Sequence, residues 1–390
     1  MSMTIKEMDD SYVANTYKRF PVEIVSGKGS IVKDSAGKEY IDLGAGIAVS
    51  SFGIADDAWI AAVTEQINKL QHMSNLYYTE PCAVLAKMLC EKTGMKKVFF
   101  GNSGAEANEC AIKVARKYAQ DKKGQEYYTI ATLKNSFHGR TLTTLAATGQ
   151  DAFHKLFTPL TPGFVHMEPN NYEELEKTVK ENKLAGILIE IVQGEGGVVP
   201  VDKEYVQAIE KICREQDIVF MVDEVQTGNG RSGSLYAYMN YGVQPDVVST
   251  AKGLAGGLPL GACLMGEKVE HTLGYGDHGS TFGGNPVSTA AAVSVLSRID
   301  DELLADVRKK SDYIFKTLNG CKGIEAVTGM GLMIGIKTVK PAGEIIAKCI
   351  EKGALPIAAH DRVRLVPALN IPMELVAKAC CIIKEVCAED

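Results

Sequence analysis

Short apolar runs alternate with amphipathic segments through the middle of the chain. The runs at 98–100, 184–192 and 218–222 have the continuous apolar character of strands buried on both faces. Segments with helical spacing lie between them, as at 105–118. Because strands and helices alternate from about residue 95 to 265, the pattern predicts an α/β layer built on a mostly parallel sheet.

The two ends of the chain show a different pattern. Residues 12–55 predict an arm with short strands, including a hairpin around the turn at 34–38. The C-terminal part predicts a second lobe, with a strand at 331–337, a hairpin at 355–366 and a closing helix at 375–387. Further helices are expected at 58–70, 77–91, 172–183, 205–216 and 287–318.

Composition narrows the class of protein. At 390 residues the chain is too long for one average core. The net charge of −6 gives no reason to expect a nucleic-acid surface, and no apolar run approaches the roughly 20 residues of a membrane span. The start of the chain lacks an apolar signal core, so we expect a cytoplasmic protein. The ten cysteines are scattered and contain no CxxC pair, so we expect them to be free thiols in a reducing compartment. Their spacing predicts no metal site.

The stretch 218–252 carries the first candidate chemistry. Its strand ends in the acids Asp223 and Glu224, and a second apolar segment at 247–248 leads to Lys252. Parallel sheets bind ligands at the carboxyl ends of their strands. A lysine that forms a Schiff base and an aspartate that pairs with a pyridinium nitrogen are what a pyridoxal phosphate site needs. The alternative is a surface acid and a surface lysine at two strand ends.

A second candidate follows the strand at 98–100. A polar turn at 101–104 leads into a helix, so free N–H groups and the helix dipole near Ser103, Gly104 and Ala105 favour a phosphate. An ordinary strand-to-helix turn with a serine cap is the alternative. The turn lacks the Gly-Lys-Ser/Thr ending of a nucleotide-binding loop.

Other candidates lie at further strand ends and loops. Phe137 could stack on a planar ring, and Arg140 could hold a carboxylate, although a capped loop with a core phenylalanine and a solvated arginine has the same pattern. The glutamates that follow the strand at 184–192 are candidate site residues or turn caps. The loop at 276–286 could present Ser280 and Thr281 to a phosphate or be a flexible connection.

One rival motif points to another class of enzyme. Residues 228–233 match GxGxxG after a strand, as in dinucleotide-binding enzymes such as nicotinamide dehydrogenases. However, Asp223 and Glu224 stand between strand and glycines, where their charge would repel a pyrophosphate. The segment that follows is also a poor opening helix, so we set this interpretation aside.

The chain also carries a series of long motifs, in order SNLYYTEP, GNSGAEANE, SFHGRTL, LAATGQ, QGEGGV, DEVQTGNGRSG, GDHGSTFGGNP and VRLVPAL. By these motifs it resembles the class III, ornithine-type aminotransferases of pyridoxal phosphate fold type I, from about residue 17 to the C-terminus. The resemblance implies an α/β protein with a mostly parallel sheet in a large domain and a smaller α+β domain. We expect an N-terminal arm and part of the small domain at 1–55, the large cofactor-binding domain at 56–275, and an interface loop, linking helix and C-terminal small domain at 276–390.

The resemblance also implies roles for single residues. Lys252 would bond covalently to pyridoxal 5′-phosphate and move the reacting proton, and Asp223 would keep the ring nitrogen protonated. Around the ring it implies Ser103, Gly104 and Ala105 on the phosphate, Phe137 stacked on the ring, Gln226 on the phenolic oxygen, and Ser280 and Thr281 reaching the phosphate from the partner subunit of a homodimer. Around the substrate it implies Arg140 and Arg364 as carboxylate ligands, Glu195 as the partner of Arg364, and Tyr17 at the far end.

The implied reaction is amino transfer from N-acetylornithine to 2-oxoglutarate, which yields glutamate within arginine synthesis. Related enzymes use succinylornithine, ornithine, succinyldiaminopimelate, 4-aminobutyrate or carrier-linked lysine, and a cofactor-binding regulator without turnover is a further alternative. Ile47 stands where plain ornithine aminotransferases carry a tyrosine, which favours an acylated amine. The loop at 50–57 departs from the family's pattern, which puts the substrate entrance in doubt.

Overall fold

The computed structural model describes residues 3–389. Its strands are β1 (Ile24–Lys28), β2 (Ile31–Asp34), β3 (Glu39–Asp42), β4 (Lys97–Gly101), β5 (Thr129–Leu133), β6 (Phe164–Met167), β7 (Leu184–Ile189), β8 (Val192–Gln193), β9 (Val199–Pro200), β10 (Val219–Asp223), β11 (Val247–Thr250), β12 (Gly261–Met265), β13 (Ile324–Met330), β14 (Met333–Thr338), β15 (Ala354–Leu355), β16 (Ile357–Ala359) and β17 (Arg362–Leu365).

The helices fill the connections between these strands. They are α1 (Ile5–Tyr12), α2 (Ala45–Ala48), α3 (Asp57–Lys69), α4 (Glu80–Thr93), α5 (Gly104–Lys123), α6 (Leu142–Ala147), α7 (Asp151–His154), α8 (Tyr172–Glu181), α9 (Lys203–Glu215), α10 (Tyr238–Tyr241), α11 (Pro286–Leu296), α12 (Asp301–Leu318), α13 (Ala342–Glu351) and α14 (Met373–Ala388). None of the helices within residues 3–389 has both the length and the apolar character needed to cross a bilayer.

A seven-stranded sheet in the order β4-β12-β11-β10-β7-β5-β6 forms the centre of the large part of the molecule. All pairings are parallel except those of β12, which runs antiparallel to both of its neighbours. Consecutive side chains of β10 point to opposite faces: Val219 and Met221 pack in the core beneath α5, while Phe220 and Val222 pack in the core on the other side. The predicted α/β fold with a mostly parallel, doubly covered sheet is confirmed.

A smaller lobe contains a four-stranded antiparallel sheet in the order β13-β14-β17-β16. A second four-stranded sheet joins the N-terminal arm to it, because β3 pairs with β15. The core of this lobe mixes residues from both ends of the chain, for example Val32 and Ile41 with Ile334 and Ile383. The domain boundaries at 55 and 275 stay a prediction.

Several local expectations differ from the structure. The helical region expected at 287–318 is two helices. The first ends at Leu296, and Asp300 caps the start of α12 by accepting a hydrogen bond from the N–H of Leu303 at 2.9 Å. The strand expected at 184–192 ends at Ile189, so that Glu190 turns out of the sheet. The elements α1, β1, β6 and β13 were not expected from the pattern.

Candidate active site

The ends of the parallel strands surround a cavity of about 430 Å³. The loops after β4, β5, β7, β10 and β11 all meet at this edge of the sheet, as expected for a parallel α/β layer. Among the predicted site residues, those that line the cavity are Ser103, Gly104, Ala105, Phe137, Arg140, Asp223, Gln226 and Lys252. Residues far apart in the chain therefore share one cavity.

The start of α5 forms one wall of the cavity. Ser103 caps the helix, with its hydroxyl accepting a hydrogen bond from the N–H of Glu106 at 3.2 Å. The first N–H groups of a helix have no acceptor within the helix, so those of Gly104 and Ala105 are free to bind an anion in the cavity. Val225 packs so closely that a Cβ on Gly104 would lie 2.6 Å from its Cγ1, which explains why this turn needs glycine.

Asp223 lies at the end of β10 with only 4% of its surface exposed. Its Oδ2 accepts a hydrogen bond from the Asn108 amide at 2.7 Å and lies 2.8 Å from Nδ1 of His138. Its Oδ1 accepts from the N–H of Val225 at 3.0 Å. These bonds fix the carboxylate's orientation. Asn108 is not among the predicted site residues, although it lies within the motif GNSGAEANE, one helical turn beyond the polar turn at 101–104.

Lys252 follows β11 in a turn with φ of +43°, a conformation that non-glycine residues rarely adopt. Asn229 supports this turn through hydrogen bonds from its amide to the Thr250 hydroxyl at 3.0 Å and to the Ala251 carbonyl at 3.2 Å. The amine has lost most of its contact with bulk water, and this burial lowers the pKa of Lys252 to about 8. A substantial fraction of the amine is therefore neutral and nucleophilic near neutral pH.

Glu195 and Arg364 form an ion pair beside the cavity. NH1 and NH2 of Arg364 lie 2.6 Å and 3.3 Å from the two carboxylate oxygens. Gln226 joins the pair, accepting from Arg364 NH1 at 2.9 Å and lying 3.3 Å from Glu195. Burial alone would raise the pKa of the Glu195 carboxyl, but the charges of Arg364 and Lys252 and the hydrogen bonds from Arg364 and Gln226 outweigh it and lower that pKa.

Phe137 and Arg140 lie on the loop after β5. The guanidinium of Arg140 lies 5.1 Å from the centre of the Phe137 ring and is exposed, so it can reach a substrate carboxylate. Glu190, buried below this loop, accepts hydrogen bonds from the N–H of Phe137 at 2.9 Å and of Gly194 at 3.3 Å. Burial raises the pKa of Glu190. This carboxyl ties together the loops on both sides of the cavity.

Five predicted site residues do not line this cavity: Glu195 and Arg364 form the ion pair beside it, and Ser280, Thr281 and Tyr17 lie elsewhere. The Ser280 hydroxyl lies 3.1 Å from the amide of Asn102, at the rim, whereas Thr281 is exposed in a neighbouring cavity with His72 and Asn75. Tyr17 is 69% exposed. Their roles stay predictions.

Ile47, which the sequence suggests as a selectivity residue, lines a different cavity near the N-terminal arm, together with Phe20 and Leu355. Its backbone φ is +64°.

The residues that line the main cavity fit pyridoxal phosphate. The start of α5 offers free N–H groups for a phosphate, Asp223 presents a held carboxylate for a ring nitrogen, and Lys252 presents an amine of lowered pKa for an aldehyde. Nε2 of His138 and Nε of Arg364 are buried without a partner within residues 3–389. Such unpaired buried nitrogens at or beside a cavity are compatible with a polar ligand.

Comparisons with known proteins point the same way. The sequence profile of the family "Aminotransferase class-III" matches residues 12–387. The acetylornithine aminotransferase of Haemophilus ducreyi is 46% identical over 387 residues, which cover 99% of this chain and 98% of the relative. The acetylornithine aminotransferase of Methanocaldococcus jannaschii is 42% identical over 374 residues, which cover 94% of each chain.

Solved structures are similar over nearly the whole chain as well. The ornithine aminotransferase of Toxoplasma gondii superposes with a TM-score of 0.93 at 30% identity, covering 97% of this chain and 93% of that one. The N-acetylornithine aminotransferase of Stenotrophomonas maltophilia superposes with a TM-score of 0.83 at 34% identity, covering 97% of each chain.

Proposed function

Because the chain belongs to the class-III aminotransferase family, we propose that it is a pyridoxal phosphate-dependent enzyme that transfers the side-chain amine of N2-acetylornithine to 2-oxoglutarate. The products are N-acetylglutamate semialdehyde and glutamate, which fits arginine synthesis. The observation that carries the proposal is the Glu195–Arg364 ion pair beside the cavity that holds Lys252 and Asp223. A protein that only bound the cofactor would not need this pair.

The chemistry divides between the cofactor and the chain. When bound, pyridoxal phosphate would supply an aldehyde that can carry the amino group between the substrates and a ring that can accept electrons. Asp223, held by Asn108 and His138, keeps a proton on the ring nitrogen. Lys252 would hold the cofactor through its amine in the resting enzyme. Once freed, its Nζ moves the proton at the reacting carbon of the substrate, for which a pKa near 8 is suitable.

The ion pair lets one site accept two different donors. Glutamate brings an α-carboxylate next to its amine, and Arg364 binds that carboxylate after Glu195 moves aside. N-acetylornithine reacts through its far amine, which has no neighbouring carboxylate, so Glu195 stays paired and neutralises Arg364. Arg140 holds the carboxylate at the other end of either substrate.

The comparisons also bear on the acyl group of the donor. N-acetylornithine is supported by the relatives named acetylornithine aminotransferase, which are 40–46% identical over nearly the whole chain. Ornithine is the second candidate, because several structures of high similarity are ornithine aminotransferases.

The half-reaction tests substrate and chemistry together. The yellow purified protein is mixed, without keto acid, with N-acetylornithine, ornithine or 4-aminobutyrate, and the visible absorbance of the cofactor is followed. Rapid bleaching with N-acetylornithine alone is expected. Bleaching with glutamate but none of the three would keep the aminotransferase and redirect the search to other acylated diamines, such as succinylornithine. A colourless protein that no donor changes would refute the proposal.

We further propose a cytoplasmic homodimer with a shared site. All ten cysteines are free, as in reducing compartments. Large apolar side chains are exposed around the loop that carries Ser280 and Thr281, and apolar surfaces of this kind mark interfaces. They are Leu76, Tyr77, Tyr78, Tyr275 and Phe282. In the dimer, Thr281 would reach the phosphate in the partner's cavity.

Mixing two variants tests the shared site. Thr281→Ala should weaken cofactor binding, and Lys252→Ala should abolish covalent attachment. If Thr281 serves the partner's site, hybrid dimers of the two variants regain one site of normal cofactor affinity. No recovery in hybrids, or a monomer by light scattering, would contradict the proposal.

A further inference from the structure

The loop that carries Glu195 lies on the face of the small sheet that also carries Arg364. This loop, residues 194–198, is the tip of the hairpin between β8 and β9 and is called the gate loop below. On the sheet, Thr328 of β13 pairs with Gly335 of β14, which pairs with Arg364 of β17. Since directly paired residues point to the same face, Thr328 and Arg364 flank the gate loop from one surface.

The backbone of the gate loop packs directly against the small sheet at Gly335. A Cβ on Gly335 would lie 2.8 Å from the carbonyl oxygen of Gly197 and 2.9 Å from Cβ of Val198. Glycine at 335 is therefore what allows the loop to lie flat against the sheet. The position of Glu195 relative to Arg364 depends on this contact.

Val198 ends the loop in an unfavourable conformation that the sheet holds in place. Its φ is +57°, which is a genuine outlier for a β-branched residue, and its side chain is fully buried. The Thr328 hydroxyl donates a hydrogen bond to the Val198 carbonyl at 2.8 Å. NH1 of Arg362 in turn donates to the Thr328 oxygen, which leaves the hydroxyl proton directed at Val198.

We propose that Thr328 and Arg362 are positioning residues that clamp the gate loop and thereby set how readily Glu195 leaves Arg364 for a substrate carboxylate. The inference rests on the proposed function, since it concerns the choice between glutamate and a donor without a neighbouring carboxylate. Neither side chain lines the main cavity, and both act through the carbonyl of Val198.

The clamp predicts an asymmetric effect. If the paired state of Glu195 dominates, loosening the loop multiplies the small open population, and ligands that need the open state bind more tightly by the same factor. The paired population hardly changes, so a donor that uses the paired state is nearly unaffected. Damage to the site would instead weaken both.

The test compares Thr328→Val, which keeps the shape and removes the hydroxyl, with Thr328→Ser, which keeps it. For the valine variant, glutarate, a dicarboxylate without an amine, should bind about two- to tenfold more tightly by calorimetry, the range of one hydrogen bond. The KM for glutamate should fall by the same factor, and the N-acetylornithine half-reaction and both maximal rates should stay unchanged. Arg362→Met should act in the same direction to a smaller extent, and the serine variant should match the parent.

Two further measurements show whether the effect passes through Glu195. Amide hydrogen exchange over 194–199 should be faster in the valine variant. In a Glu195→Gln background, Thr328→Val should leave glutarate binding unchanged. Thr328 affects glutarate only through the ion pair of Glu195 with Arg364, and this variant already lacks that ion pair. Equal losses for both donors, or a glutarate effect that persists without Glu195, would overturn the clamp. A parent enzyme inactive with every donor would instead overturn the proposed function.

Discussion

Replacing Glu195 with glutamine tests how one site selects between two donors. In the parent, a glutamate carboxylate must displace Glu195, which lies 2.6 Å and 3.3 Å from the nitrogens of a nearly fully buried Arg364. Arg364 keeps its bonds to Gln226 and to the Ala358 carbonyl whether or not Glu195 is present. The variant therefore replaces the charged competitor with a weaker, neutral one and leaves the binding arginine in place.

The expected magnitude follows from the contacts that are exchanged. Two charge-assisted hydrogen bonds are lost on opening, but Glu195 is 30% exposed, so solvent screening reduces their worth. A net opening cost of about 1–2 kcal/mol corresponds to about a five- to thirtyfold lower KM for glutamate. The N-acetylornithine half-reaction should weaken, because the charge of Arg364 is no longer neutralised near the incoming amine.

Stopped-flow measurement of each half-reaction separates these effects. Glu195→Asp is the matched control: it keeps the negative charge on a shorter side chain and should change both half-reactions less. A parallel loss in both half-reactions, or an unchanged KM for glutamate, would refute the idea that Glu195 competes with the substrate carboxylate for Arg364.

Three further predictions concern the cofactor, selectivity and pH. Lys252→Ala should give a protein without covalently bound cofactor, seen as loss of the visible absorbance after dialysis and of turnover. Ile47→Tyr should shift preference from N-acetylornithine toward ornithine in the half-reaction, and an unchanged ratio would remove Ile47 from the selectivity argument. Burial raises the pKa of Glu224 to about 7. Between about pH 4.5 and 7 the folded protein therefore holds a proton that the unfolded chain has released. The free energy of unfolding consequently falls as the pH rises through this range. Over that range, the free energy of unfolding of Glu224→Gln, measured with urea, should fall by roughly 2–4 kcal/mol less than that of the parent. The exposed Glu215→Gln variant should show the same pH dependence as the parent.

The pattern of apolar and polar residues predicted those parts of the site that are formed by neighbouring residues in the chain. The strand ends before Asp223 and Lys252 and the polar turn at Ser103 are visible because buried strands are continuous apolar runs and because parallel strands present their ends at one edge. Motifs that span a strand end, a loop and a helix start then identified the family, since each such motif is one local unit of the site.

Other features depend on pairings that no local pattern contains. The antiparallel direction of β12 is decided by its partners β4 and β11, and the arm joins the small lobe only through β3 and β15. The break before α12 rests on a single cap, Asp300, within an otherwise helical pattern.

The sequence by itself determined the fold class and the local elements that bring Lys252, Asp223 and the polar turn at 101–104 to the cavity, because each is encoded by neighbouring residues. Only the tertiary structure decided what orients them. Asn108 meets Asp223 across 115 positions. The contact of Thr328 with Val198 spans 130 positions. Long-range contacts of this kind depend on sheet register and lobe packing, in which the whole chain takes part.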